Sequence, residues 1–317
     1  MTRTHRLAQV LRNVSFNQTM IRVKDPQKSL AFYERHFQLT LAHQAHFSDF
    51  SLYFLVSLPT SQLPDNLKNA SYINAGEYGC TLELTHNHGT ESNPSFAYHS
   101  GNTPPVGFCQ LGFAVPSGGL PSMKSSLESH GHSVDAFDKT LITHDPDGYE
   151  IQVAERCTNA DKDAKVSWHH TTLRVKDPEA SLAFYQQMIG FSLLSTQRNE
   201  KDKFTSYFLG TTTSDKLSDE RLQNQLGTVV ELRHFDGTES LGDDFKYNNG
   251  NVEPHRGFGH LAIMVDDVYE SCAVWDELGV KFQKKPDDGR MKGLAFILDP
   301  DGYWIEVIRR RGRVEGL

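Results

Sequence analysis

The sequence lacks any apolar run that approaches the roughly 18 consecutive residues needed to cross a bilayer, which excludes a membrane-spanning protein. Proline and glycine, with 13 and 24 residues in a chain of 317, are too few for a collagen-like or low-complexity protein. The N-terminal segment, MTRTHRLAQVLRNVSF, has no apolar stretch typical of a secretory signal. Arginines without acids leave an organelle-targeting segment as one interpretation, and a short N-terminal helix or arm is the other.

An excess of positive charge is also absent. The net charge is −8, and the one basic cluster, Arg309–Arg311, is typical of a solvated tail. A nucleic-acid or membrane partner is therefore not expected. The cysteines at positions 80, 109, 157 and 272 form no CxxC pair, so neither a thiolate metal site nor a thioredoxin-like motif is predicted. We expect reduced, mostly buried thiols in a cytoplasmic protein.

The sequence contains an internal duplication. The segments TMIRVKDPQKSLAFY (19–33) and TTLRVKDPEASLAFY (171–185) match at eleven of fifteen positions, with an offset of 152 residues. Three further pairs follow in the same order at similar offsets: GTESNP and GTESLG, GFCQLGFAV and GFGHLAIMV, and DPDGYEIQV and DPDGYWIEV. The two halves are therefore homologous, and we predict domains at 1–156 and 167–317 joined by a polar linker at 157–166.

Each half repeats one order of elements twice. An alternating strand leads to Asp-Pro, which is typical of a helix N-terminus, and an apolar pattern of helical spacing follows. Further strands follow that helix, and in the second part of each half a DPDGY turn closes a hairpin. The pattern predicts an α+β protein in which mixed sheets carry helices on one side.

Polar residues stand at matched places within the apolar strands of the two halves. A buried carboxylate without a partner is strongly disfavoured, so a glutamate within TLEL or VVEL indicates a partner. Imidazole, amide and carboxylate groups at matched places favour a divalent metal over independent core positions. The residues are Gln18, Glu83, Gln110 and Gln152 in the first half, and His170, Glu231, His260 and Glu306 in the second.

Several long motifs resemble glyoxalase I, the lactoylglutathione lyases of the vicinal-oxygen-chelate superfamily. They are QTMIRVKDPQKSLAFY, LELTHNHGTE, HRGFGH, KKPDDGRMKGLAF and DPDGYWIEV, and the resemblance to the single-chain, two-domain members covers nearly the whole chain. The resemblance implies tandem glyoxalase domains, with four βαβββ modules forming a pseudo-dimer. It also implies a metal held by two residues from each domain. The implied reaction isomerises the hemithioacetal of methylglyoxal and glutathione to S-lactoylglutathione, which detoxifies methylglyoxal.

Two pairings of the metal ligands are open. In the family the site joins the first module of one domain to the second module of the other, which unites Gln18, Glu83, His260 and Glu306. The reciprocal set, His170, Glu231, Gln110 and Gln152, has amides where the family has His and Glu, and is degenerate because Gln152 cannot act as a base. A pairing within the second half, His170, Glu231, His260 and Glu306, is also complete.

The glutathione contacts that the resemblance implies favour the cross-half pairing. The first half has an Arg and an Asn for the glutamyl end, whereas the second half has Phe235 in place of the Asn. The second half has the Arg, the Lys and the KKPDDGRMKG loop, whereas the first half has Val106 in place of the Arg and is eight residues shorter at the loop. The implied contacts are Arg22, Asn87, Arg256, Lys284 and Met291. Structural roles for the repeated Arg22 and Arg174, and surface positions for Arg256 and Lys284, are the alternatives.

Other residues near these motifs receive weaker assignments. Leu52 and Phe54 either line a pocket for the substrate methyl group or belong to the core. We expect Trp304 and Phe258 to have packing roles. The histidines that flank the metal strands are expected to be solvated or to contact a ligand without binding the ion: His86, His88 and His234.

The resemblance also implies roles for the ligands. Glu306 is the main base for one hemithioacetal enantiomer and Glu83 serves the other, while Gln18 and His260 hold the metal. We expect Zn²⁺, and Ni²⁺, Co²⁺ or Mn²⁺ suit the same donors. Two rival hypotheses are an Fe(II) dioxygenase that uses His170, His260 and Glu306, and a degenerate binding or stress-sensor protein. Because the pseudo-dimer is complete within one chain, a monomer is expected.

Overall fold

The computed structural model of the protein describes residues 3–57, 80–137, 139–155, 166–211 and 229–310. The predicted linker 157–166 lies outside these residues apart from Val166, as do Cys157 and Arg311. The α+β fold with four βαβββ modules is confirmed. In the part of the chain that is described, none of the helices has the length and apolar character that crossing a membrane requires.

The first half of the chain starts with a short helix and then forms two modules. The helix, α1 (Arg3–Leu11), agrees with one of the interpretations of the N-terminal segment. The first module is β1 (Ser15–Arg22), α2 (Pro26–Phe37), β2 (Thr40–His46), β3 (Phe50–Val56) and β4 (Thr81–Asn87), after α1 (Arg3–Leu11). The second module is β5 (Phe108–Val115), α3 (Leu120–Ser129), β6 (Asp135–Phe137), β7 (Thr140–His144) and β8 (Glu150–Glu155).

The second half repeats this order, but its first helix changes from an α-helix to a π-helix. After α4 (Pro178–Ala183) the chain continues as a π-helix over Phe184–Met188. The third module is β9 (Ser167–Val175), α4 (Pro178–Ala183), β10 (Ser192–Asn199), β11 (Phe204–Gly210) and β12 (Val229–Phe235). The fourth module is β13 (Phe258–Val265), α5 (Val268–Glu277), β14 (Phe282–Lys284), β15 (Ala295–Leu298) and β16 (Trp304–Arg309).

The four modules form two eight-stranded sheets, and each sheet combines both halves of the chain. The first sheet has the order β14-β15-β16-β13-β1-β4-β3-β2, so it joins the first module to the fourth. The second sheet has the order β10-β11-β12-β9-β5-β8-β7-β6, so it joins the third module to the second. The central pairs, β1 with β13 and β5 with β9, are antiparallel. Neither half of the chain therefore holds a complete sheet.

The repeated Asp-Pro pairs start helices α2 and α4, as their sequence predicts. The carboxylate of Asp25 accepts a hydrogen bond from the backbone N–H of Gln27. The carboxylate of Asp177 accepts from the N–H groups of Glu179 and Ala180. Such caps satisfy N–H groups that have no partner within the helix.

The DPDGY turns fasten the two modules of each half to one another. Tyr33 donates to the buried carboxylate of Asp145 (2.8 Å), and Tyr185 donates to that of Asp299 (3.0 Å). Burial raises the pKa of Asp145 to about 7 and that of Asp299 to about 8. Gly148 has a φ of 86°, which a residue with a side chain rarely adopts. The halves are thus held together internally by these turns and to each other by the sheets.

Equivalent residues of the two halves meet at a pseudo-twofold axis. The hydroxyl groups of Thr19 and Thr171 lie 2.6 Å apart, and the rings of Phe108 and Phe258 stack with centroids 5.3 Å apart. The main core is one continuous cluster that contains residues of both sheets and of helices α2, α3 and α5. Phe258 therefore has the packing role that its position predicts.

Candidate metal centre

Four polar side chains converge on one face of the first sheet. Gln18 lies on β1 and Glu83 on the neighbouring β4, while His260 lies on β13 and Glu306 on β16. Strand pairing fixes their positions, because Met20 is opposite both Glu83 and His260 and Ala262 is opposite both Gln18 and Glu306. The first sheet therefore brings together the cross-half set.

The four side chains are in contact and almost fully buried. Nε2 of Gln18 lies 2.6 Å from Oε2 of Glu83, 3.0 Å from Oε2 of Glu306 and 3.5 Å from Nε2 of His260. Nε2 of His260 lies 3.3 Å from Oε2 of Glu306 and 3.6 Å from Oε2 of Glu83. None of the four is more than 6% exposed.

This arrangement fits a divalent cation. Two buried carboxylates face one another, which is costly without a positive charge between them. Ligand atoms of Glu83, His260 and Glu306 all lie within 4.8 Å of one another. The NH₂ group of Gln18 points at both carboxylates, and a half-turn of the amide would present its oxygen instead. Nitrogen and oxygen donors of this kind suit Zn²⁺ and the neighbouring first-row ions.

The carboxylates also act on the imidazole of His260. Burial lowers the pKa of His260, but hydrogen bonds and negative charge from Glu306 and Glu83 outweigh it and raise the pKa to about 9. At pH 7 the imidazole of the metal-free protein is therefore protonated. Because a metal takes the neutral imidazole, the proton must leave when the ion binds.

We expect Zn²⁺ binding at pH 7 to release about one proton, and the apparent affinity to rise about tenfold per pH unit up to the pKa of about 9. Isothermal titration of metal-free protein in buffers of different ionisation enthalpy measures this release. A binding enthalpy that is the same in every buffer would contradict it. The His260→Gln variant, which cannot hold a proton at this position, is the control.

A cavity of about 230 Å³ adjoins the four polar side chains. Its walls include Leu52 and Phe54, as one of the two sequence interpretations expects, and also Trp304, for which only packing was expected. Met291 reaches the cavity from the KKPDDGRMKG loop. The remaining lining residues are Met20, Arg22, Phe50, Glu83, Thr85, Asn251, His260, Leu294, Phe296 and Glu306.

Arg22 lines this cavity but also holds the chain that precedes β13. Its Nη1 donates to the carbonyl groups of Gly250, Gly257 and Phe258, and its Nη2 donates to Oδ1 of Asn251 (2.8 Å). Arg174 makes the equivalent contacts in the second sheet, with Asn102 in place of Asn251. The repeated arginine therefore has a structural role in both sheets.

A second, smaller cavity of about 140 Å³ lies between the two halves, beside Arg256. Asn87 and Tyr98 line it as well, and Nδ2 of Asn87 donates to the Tyr98 hydroxyl (2.7 Å). Nε of Arg256 is buried and has no hydrogen-bond partner among the described residues. Burial lowers the pKa of Arg22, and the positive charge of Arg256 lowers it further, so the two guanidinium groups repel each other. An anion bound here would relieve that repulsion.

Lys284, unlike the other residues predicted to contact glutathione, does not line either of these two cavities. Its Nζ donates to the carbonyl of Leu294 (2.7 Å), and among the described residues it is not one of those that line the cavity. It therefore closes the KKPDDGRMKG loop on itself. Beneath this loop Met264, Leu294 and Ile308 form a small apolar cluster, against which Met291 packs.

The degenerate set lies together in the second sheet. His170 is on β9 and Glu231 on β12, and Nε2 of His170 lies 3.3 Å from Oε2 of Glu231. Gln110 on β5 and Gln152 on β8 contact each other through their amides (3.0 Å). His170 and His260 are thus in different sheets, so neither the within-half set nor the dioxygenase triad is assembled.

The flanking histidines lie outside the four-residue cluster. His86 contacts Glu91, His88 contacts Ser51, and His234 contacts Glu239, each within 2.8 Å.

Two residues that contact the predicted site residues were missed by sequence reasoning. Asn251 orients Arg22, and the Gly-Asn pair repeated at 101–102 and 250–251 is the signal that could have revealed it. Arg233 binds Glu231. The signal for it is that the first half has Thr85 at the equivalent position, two residues after the glutamate.

Comparison with known proteins agrees with this architecture. The model of the Glyoxalase/Bleomycin resistance protein/Dioxygenase superfamily matches residues 15–153 and 167–307. Glyoxalase I of Saccharomyces cerevisiae is 39% identical over 92% of this chain and 91% of its own length. Lactoylglutathione lyase of Schizosaccharomyces pombe is 38% identical over 93% and 96%. The crystal structure of glyoxalase I from Zea mays shares the fold, with a TM-score of 0.68, 24% identity and coverage of 94% of this chain and 93% of that one. The chain therefore belongs to the glyoxalase I family of this superfamily.

Proposed function

We propose that the chain isomerises the hemithioacetal of methylglyoxal and glutathione to S-lactoylglutathione, at one functional site per chain. The observation that carries the proposal is the contact of Gln18, Glu83, His260 and Glu306, all buried, beside an apolar cavity. The names of the relatives in Saccharomyces cerevisiae and Schizosaccharomyces pombe support the same reaction.

The four side chains would hold one divalent metal ion, for which we propose Zn²⁺, with Ni²⁺, Co²⁺ and Mn²⁺ as alternatives. When bound, the ion supplies Lewis-acid stabilisation of the negative charge that develops on the two vicinal oxygens of the substrate. Glu306 takes the proton from one of the two neighbouring carbons and returns it to the other, and Glu83 serves the opposite enantiomer. Gln18 cannot carry a proton in this way, because an amide is not a base.

The substrate is held by features on both sides of the reacting carbons. Leu52, Phe54 and Trp304 give the cavity an apolar wall suited to the methyl group of methylglyoxal. We propose that Arg256, with Arg22 and Asn87, binds carboxylate groups of glutathione, since its Nε lacks a partner among the described residues. Its Nη1 pairs with Glu253 (3.1 Å), which lines the same cavity and would give way to the ligand. Met291 closes the cavity from the loop, while Lys284 would need to leave the carbonyl of Leu294 to reach a ligand.

We expect Arg256→Gln to raise KM for the hemithioacetal about 10–100-fold and to change kcat little, since one charge-assisted hydrogen bond contributes about 1.5–3 kcal/mol. Steady-state kinetics at several glutathione concentrations measures this effect. Arg35→Gln, an exposed arginine on helix α2, should leave both constants unchanged. A loss confined to kcat would contradict a binding role for Arg256.

The oligomeric state and location belong to the same proposal. Each sheet is completed within one chain, which supports a monomer, and the predicted domains 1–156 and 167–317 would then remain together. The three cysteines that the structure describes are buried free thiols, which suits the reducing cytoplasm.

The proposal is tested by the absorbance of the thioester product when the protein receives methylglyoxal and glutathione. We expect product formation that stops after treatment with a chelator and returns when Zn²⁺ is added. Absence of thioester with metal-loaded, folded protein would contradict the proposal and favour a binding protein that keeps the fold. Iron-dependent cleavage of a catechol would favour the dioxygenase hypothesis.

A further inference from the structure

The two sheets hold equivalent glutamates in different surroundings. Glu83 on β4 and Glu231 on β12 occupy the same place beside β1 and β9, opposite Met20 and Thr172 respectively. Oε1 of Glu83 accepts one hydrogen bond, from the hydroxyl of Thr85 (3.2 Å), and its Oε2 faces the metal-binding groups. Thr85 corresponds to Arg233 of β12, two residues after the glutamate in both strands. The position that differs thus lies directly beside the carboxylate.

Arg233 and its neighbours contact both oxygens of the Glu231 carboxylate. Nε of Arg233 donates to Oε1 at 2.9 Å, Nη2 forms an ion pair with the same oxygen at 2.8 Å, and Ser206 donates to it as well. Oε2 accepts from Thr172 (2.7 Å). A carboxylate offers about four lone-pair sites, so few remain for a further cation. Against burial, the charge of Arg233 holds the pKa of Glu231 well below its usual range.

The guanidinium group of Arg233 is fixed in place by further contacts. Its Cζ lies 4.6 Å from the centroid of the Phe204 ring, and its Nη1 lies 3.4 Å from Sγ of Cys109. A rotation of the Gln110 amide places the amide oxygen 3.3 Å from Nη2 of Arg233. Arg233 thereby reaches Glu231 and also Gln110, which stands where His260 stands in the first sheet. The side chain is 13% exposed, so the charge is largely shielded from water.

We propose that Arg233 is a resident cation that takes the place of the metal in the second sheet and keeps divalent ions out of it. This inference rests on the proposed function of the first sheet. A divalent ion near Glu231 would face a buried positive charge that is already paired with its carboxylate, so replacing Gln110 and Gln152 alone does not restore a metal site. With a full set of ligands in place, the residue at 233, or 85 in the first sheet, determines whether the sheet binds an ion.

The test counts metal ions in four purified full-length proteins after loading with Zn²⁺ and dialysis. They are the wild type, Gln110→His/Gln152→Glu, the same pair with Arg233→Thr, and Thr85→Arg. We expect one, one, two and zero ions per chain, and Co²⁺ loading should give ligand-field absorption in the same ratios. Circular dichroism and the melting temperature show that each variant is folded.

The outcomes test the role of Arg233 separately from the proposed function of the first sheet. Two ions in the double variant, or one ion in the folded triple variant, would overturn the role of Arg233. Because Arg233→Thr leaves Glu231 without its cation and can impair folding, Thr85→Arg provides an independent arm. There the new guanidinium faces the cavity of about 230 Å³ beside Glu83. Retention of the ion by folded Thr85→Arg would overturn the inference, whereas a wild type that binds no ion would instead contradict the proposed function.

Discussion

Replacing Glu306 by Gln is expected to lower kcat for S-lactoylglutathione formation about 10²–10⁴-fold, the usual contribution of a general base. The substitution keeps the shape of a side chain that is 5% exposed and touches both Gln18 and His260. The amide can still contact a metal ion through its oxygen but cannot accept the proton. Assays of both hemithioacetal enantiomers would show the larger loss for the one that Glu306 serves.

The metal content of Glu306→Gln separates loss of the base from loss of the ion. If the variant keeps one ion per chain and loses activity, the proton-transfer role is supported. Near-full activity would show that the assigned base is wrong. Gln152→Ala changes the equivalent position of the second sheet, which already carries an amide, and should leave activity unchanged.

Replacing Gln18 by Ala is expected to lower metal affinity more than about 100-fold, since even groups that only orient a metal ligand contribute about 10–100-fold. Activity at limiting metal should fall in parallel. The amide of Gln18 on β1 contacts Glu83 on the neighbouring strand β4 and Glu306 on β16 of the other half, so its removal takes one contact from each carboxylate. Equilibrium dialysis against Zn²⁺ measures the change.

His170→Ala is the matched variant, because His170 occupies the place of Gln18 in the second sheet. We expect one ion per chain and wild-type activity from it. If His170→Ala abolishes activity while Gln18→Ala does not, the ligands pair within the second half and the cross-half site is wrong. The melting temperatures of both variants show whether a loss of activity is caused by unfolding.

The duplication made the fold predictable in outline, because four repeats of one pattern must form four similar modules. The start of helix α2 was predictable for a local reason, since Asp25 caps the N–H of its own chain two residues later. Strand β2 has no regular alternation of its own, because its pairing shifts register between Leu41 and His43 and three of its seven residues are exposed. A single irregular residue thus hides an edge strand from a periodicity argument.

The candidate site was predictable as a set of residue types, but the partners of its charged groups were not. For Arg22 both a ligand contact and a structural role were open, and the carbonyl groups of residues 250, 257 and 258 occupy much of its donor capacity. Lys284 similarly turns to a carbonyl of its own loop. Long, flexible cations can reach many acceptors, and sequence does not show which of these lie within reach.

Along the chain, the strands of the second sheet lie between the two groups of strands that form the first sheet. This order of strands sets an order in which the chain can assemble. The second sheet uses strands that run consecutively from Phe108 to Phe235, whereas the first must join Gln18 to His260, 242 residues away. Closing the longer loop costs more entropy, and distant pairings form slowly. The sheet that carries Arg233 as its own cation can therefore fold early and without an ion. The metal-binding sheet is completed last, when the C-terminal strands pair with β1.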